Sequence, residues 1–79
     1  MNIYLVERDG PTGYDQYASF VVVAKTKQEA RLTHPSSISS WDGHATSGWV
    51  NCNKVGVLFL GAAHGSLEAG VICSDFNAG

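Results

Sequence analysis

The chain has 79 residues, 44% of them apolar, and a formal net charge of −2. Five lysines and arginines are too few to neutralise many phosphates, which excludes nucleic acid as the direct ligand. Ordinary apolar content at low net charge likewise excludes a disordered chain. One domain spanning 1–79 is expected, with a core so small that it rarely supplies more than ~3–5 kcal/mol unaided.

In chain order, "NIYLVER" (2–8) is rich in β-formers and predicts a first strand, with Ile3 and Leu5 on one side and Tyr4 and Val6 on the other. "DGPTG" (9–13) is turn chemistry that ends it. The next segment, "YDQYASFVVVA", holds an unbroken apolar run from Phe20 to Ala24 that predicts a central strand antiparallel to the first. In "TKQEARLTHP" (26–35) the period changes. Thr26 and Glu29 form a capping box, Ala30 suits a helix interior, and Pro35 stops the helix at or before His34.

No period survives from Pro35 to about Ser47, and a short strand is expected near Trp49 to Asn51. "KVGVLFL" (54–60) predicts a further strand with Gly56 as a candidate bulge. "GAAHGSLEAG" (61–70) reads as loop and "VICSDF" (71–76) as a last strand. The order β-β-α-β-β implies an α+β fold, a small antiparallel sheet of four to five strands with one short helix. A helix of about two turns does not cover such a sheet. The remaining cover has to come from the tryptophan-bearing loop, a second copy of the chain, or both. A homodimer is expected on that ground.

No motif names a reaction. "WDGH" places Asp42 two residues before His44, which reads as a turn with Asp42 accepting backbone N–H bonds and Gly43 supplying a positive φ. "GAAHGS" lacks the lysine and the following helix of a phosphate loop. Cys52 and Cys73 sit in no activating surroundings, and with His44 and His64 they lack the close spacing of a zinc site. The chain therefore reads as a non-enzyme without cofactor or metal, its cysteines free. His34, before Pro35, is placed to complement the end of the helix dipole. "MNIYLVERDG" shows no signal-peptide pattern, and no stretch reaches the length of a membrane span, so a cytoplasmic protein is expected.

The residues suited to a partner are aromatic and uncharged. Tyr14, Asp15 and Tyr17 lie in a polar stretch between turn and strand. Trp41, Asp42 and His44 lie in a second loop. Tyrosine and tryptophan combine area, rigidity and a polar tip, which is why interfaces favour them. Equally, Tyr14 and Tyr17 could cover a sheet edge. Of the two tryptophans, Trp49 beside Val50 is the expected core residue and Trp41 the expected contact.

The stretch "IYLVERDGPTGYDQYASFVVVAKTKQEAR", followed by tryptophans and the closing "GVICSDFNAG", resembles small accessory proteins encoded in phages and prophages, in particular anti-CRISPR proteins of type I systems. The resemblance covers Ile3 to Arg31 and Gly70 to Gly79 and carries no catalytic motif. It implies an inhibitor that binds a host RNA-guided surveillance complex and keeps target DNA from engaging. A phage structural or assembly accessory, or a homo-oligomeric adaptor, is the alternative.

Overall fold

The computed structural model describes residues 1–77; the last two residues of the closing stretch lie outside the described residues. Strands β1 (Asn2–Arg8), β2 (Gln16–Ala24), β3 (Val55–Ala62) and β4 (Gly70–Asn77) form one sheet in the order β3-β1-β2-β4, with every neighbouring pair antiparallel. Helix α1 (Lys27–Arg31) follows β2. The fold is thus the expected small α+β arrangement. β1 and β2, the strands with apolar residues on both faces, occupy the centre, and β3 and β4 are the edges.

Around Trp49 to Asn51 the expected strand is absent. Asn51 instead caps a 3-10 turn at Cys52–Lys54, its side chain accepting from the Asn53 N–H at 2.9 Å. A side chain that satisfies the backbone locally competes with strand pairing, and here it bends the chain into β3. The irregularity in β3 also differs from expectation. Gly56 pairs regularly with Glu7, whereas the register shift falls between Ile3 and Tyr4, where Gly61 adopts a φ of 152° open to glycine.

Pairing register decides the two faces. Tyr4 lies opposite Val22 and Phe59, and Val6 opposite Phe20 and Val57, forming the covered face. Leu5 lies opposite Val21 and Leu58, and Val21 opposite Cys73, forming the other face. On the covered face the core is Tyr4, Val6, Phe20, Val22, Ala24, Ala30, Trp49 and Val55.

The helix contributes little of this core. It is shorter than expected, ending at Arg31, and buries only Ala30. Thr26 accepts from the Glu29 N–H at 3.1 Å, as a capping residue does. Glu29 returns not to Thr26 but to the Lys25 N–H, also at 3.1 Å, so the reciprocal bond is displaced by one residue. Thr33 donates its hydroxyl to the Glu29 carbonyl at 2.8 Å and closes the last turn. Arg31 ties this end to the sheet, its Nη1 reaching the Cys52 and Val55 carbonyls at 3.4 and 3.5 Å.

Trp49 supplies the cover that the helix lacks. It is only 2% exposed and meets Phe20 edge-on, with ring centroids 5.4 Å apart. Such pairs contribute about 0.5–1.5 kcal/mol beyond their buried area. Its indole N–H has no acceptor among the described residues, so the side chain stabilises through apolar area and shape alone.

Both cysteines are free, Cys52 half-buried and Cys73 exposed. Cys73 belongs to the face opposite the core, whereas Cys52 packs at Gly43 in the covering loop.

Two predictions follow from this packing. Trp49→Ala should lose about 3–5 kcal/mol, enough to abolish a cooperative melt, while Trp49→Phe, which removes the orphaned N–H and leaves a smaller void, should lose less. Circular dichroism melts check both. The double variant Cys52→Ser with Cys73→Ser should melt within a few degrees of the parent, and reducing agent should not shift the parent.

Candidate protein-contact site

The loop after α1 is held by side-chain-to-backbone bonds rather than by repeating structure. His34 is its centre, only 4% exposed. Its Nδ1 accepts from the Ser36 N–H at 3.1 Å and lies 2.7 Å from the Ser36 hydroxyl. Because Nδ1 accepts, the proton of the neutral ring sits on Nε2, which donates to the Thr46 hydroxyl at 3.1 Å. Burial pushes the His34 imidazole below the ordinary histidine range. This differs from the expected helix-end role: the ring serves the loop and not the helix carbonyls. The same H-x-S geometry recurs at His64 and Ser66, with an N–H to Nδ1 bond of 3.1 Å on the surface.

Two predicted residues pack onto that imidazole. Trp41 meets it edge-on at 5.4 Å and Tyr17 at 6.3 Å, and Tyr17 in turn meets Phe76 at 4.8 Å. Phe76, Tyr17, His34 and Trp41 therefore form a continuous chain of rings from the β4 edge to the loop. Trp41 is half-buried and its indole N–H donates to the His44 carbonyl at 2.7 Å. Much of its surface is spent inside the protein, so the expected outward contact is narrower than the sequence suggests.

Asp42 and His44 are exposed and form the expected turn. The His44 N–H donates to Asp42 Oδ1 at 3.0 Å, Gly43 has a φ of 90°, and the His44 ring lies 3.0 Å from the second carboxylate oxygen. The backbone bond, then the side-chain bond from His44, hold the Asp42 carboxyl below its ordinary range. Only glycine fits at 43: besides its φ, an added Cβ would stand 3.0 Å from Cys52 Sγ.

Tyr14 and Asp15 precede β2 in a loop fixed to the end of β4. The Asp15 N–H bonds the Asn77 carbonyl, and the Asn77 side chain donates to the Gly13 carbonyl at 3.2 Å. Asp15 itself takes a φ of 56°, tolerable for aspartate, and Tyr14 is left 78% exposed. The tryptophan loop touches this segment: the Tyr17 N–H donates to the Gly48 carbonyl at 3.0 Å. All six predicted residues thus lie at one end of the molecule, where β2 begins and β4 ends. Of them Tyr14, Asp15, Asp42 and His44 are exposed, while Tyr17 and Trp41 are the supports beneath.

His34 and Phe76 were missed as members of this group. The signal for His34 was its H-x-S spacing; Phe76 gave none, since its place depends on β4 pairing with β2. A shallow groove of about 280 Å³ lies elsewhere, between Leu32, Ile38 and Val71, and no charged side chain lines it. Among the described residues no three histidine, cysteine or acidic side chains gather as a metal site. None of the described helices is long and apolar enough to cross a membrane. No protein-family model, curated protein or solved structure matches the chain.

The depressed His34 pKa gives a pH prediction. As pH falls below about 6.5, the unfolded chain binds a proton that the folded chain resists, so the folded state is fully favoured above that value and loses stability below it. Melting temperature should therefore decline from about pH 6.5 downward. In His34→Asn, which keeps an acceptor for Ser36 but does not titrate, that decline should flatten.

Proposed function

We propose that this chain is a non-enzymatic protein-binding module whose contact surface is the end formed by the Tyr14–Asp15 loop and the Trp41–His44 loop. The observation that carries the reading is the fastening of these two distant loops through Tyr17, Gly48 and His34, with Tyr14 left 78% exposed above them. The backbone that carries Tyr14 is fixed by the Asp15–Asn77 and Tyr17–Gly48 bonds, so the ordering cost of binding falls on the tyrosine side chain and not on the loop. Exposed Phe76 at the same end extends the apolar area, and the exposed Asp42–His44 pair supplies polar contacts.

Within that class, the resemblance over Ile3 to Arg31 and Gly70 to Gly79 favours a phage-encoded inhibitor acting in the host bacterial cytoplasm. Its partner would be a type I RNA-guided surveillance complex, held by protein contact so that target DNA is kept out. The low charge of the chain fits a protein partner better than the nucleic acid of that complex.

The test is direct mixing with purified, guide-loaded type I surveillance complexes, followed by target-DNA binding. Co-elution together with loss of DNA binding is expected. Tyr14→Ala should weaken association at least 10-fold, about 1.4 kcal/mol, with an unchanged melt. Complexes that ignore the protein at tens of micromolar, and bind DNA normally, would refute the inhibitor reading.

A further inference from the structure

We infer that β3 is a self-pairing edge, and that two copies of this chain join through it into one continuous eight-stranded sheet. The inference concerns the opposite edge of the sheet from β4 and stands independently of the proposed partner.

The two edges of the sheet are protected differently. Proteins ordinarily guard an edge with charge, proline or bulges. β4 carries Asp75 and two register irregularities against β2. β3, "VGVLFLGA", has neither charge nor proline, and its one register shift against β1, at Leu60, leaves the pairing regular from Val55 to Phe59. In its middle, Leu58, Phe59 and Leu60 remain 56%, 51% and 50% exposed in succession.

Backbone parity gives the register. The Asp9 N–H bonds the Lys54 carbonyl at 2.7 Å, so hydrogen-bonded pairs with β1 recur at alternate residues, Gly56 and Leu58. Val57 and Phe59 therefore turn their N–H and C=O groups to the open edge, while the Val55 carbonyl, of the same parity, is taken by Arg31 Nη1. A second copy related by a two-fold axis at Leu58 sets Val57 against Phe59 of its partner and Phe59 against Val57, which makes about four new backbone bonds. Leu58 then faces Leu58 of the partner in the close, non-hydrogen-bonded position. The row Cys73, Val21, Leu5, Leu58 on the face opposite the core runs on without a charge into the same row of the second copy.

The area sets the strength. Three half-exposed large side chains and the strand edge offer on the order of 400 Å² per copy, about half the ~800 Å² per partner of a standard interface. A second copy fits this small, uncharged and self-complementary strip as a reversible dimer rather than an obligate one.

Sedimentation velocity from micromolar to millimolar concentration tests the pairing, with Leu58→Lys, Leu58→Glu and an equimolar mixture of the two. The wild type should move from its 8.4 kDa mass toward twice that value as concentration rises. Each variant alone should stay monomeric at an unchanged circular dichroism spectrum, since like charges would meet across the axis, and the mixture should regain association at least 10-fold over either variant. Should the variants misfold, hydrogen exchange on the wild type gives the answer: the Val57 and Phe59 amides should gain protection with concentration while those of β4 do not. A wild type that stays monomeric throughout overturns the proposal and leaves β3 open to a strand of another protein. A dimer that survives both charged variants, or gains protection in β4 instead, overturns it as well.

Discussion

On its covered side the sheet depends on the indole of Trp49 lying edge-on against Phe20. A five-residue helix that buries one alanine does not cover four strands, and the described residues form no second α-helix. A tryptophan brings the largest apolar area of any side chain at the cost of one residue. Placed at the end of an irregular loop, it closes over Phe20 and leaves the loop free to be polar and rich in glycine and serine. The loop is ordered because its last member is core.

The other aromatic rings depend on that anchor. With Trp49 buried, Gly48 is brought to the start of β2, where its carbonyl accepts from Tyr17. His34 is then enclosed between Tyr17 and Trp41 and bonded at both ring nitrogens, to Ser36 and Thr46. A buried imidazole satisfied on both sides is a stiff spacer, and it converts two loops into one surface. Protonation at Nδ1 would remove the acceptor that the Ser36 N–H uses, in keeping with a pKa that burial pushes below the ordinary histidine range.

The sheet is asymmetric. One face is closed by Trp49, α1 and the intervening loop, whereas on the other Val23 is buried, Leu5 and Val21 are half-buried, and Leu58 and Cys73 are exposed. Its β3 margin is also without the charges that ordinarily keep strands apart.

Strand β1, the antiparallel β2, the capped helix and the Asp42 turn were legible in the sequence, because each rests on forces acting within a few residues: β-branched runs, turn formers and the Thr26–Glu29 spacing. Trp49 as core was legible too, from its place beside Val50. The assignment of β1 to the centre and β3 to an edge, and the bulge at Leu60 and not at Gly56, depend on which strands pair, and pairing joins residues some fifty positions apart. The packing of His34 was likewise beyond local reading, since apart from the nearby Ser36 its partners come from strand β2 (Tyr17) and from farther along the loop (Trp41 and Thr46). Local chemistry thus specified the elements and their turns, while burial, which exists only once distant segments meet, decided that Trp41 would lean on a histidine and that Leu58 to Leu60 would be left at an open edge.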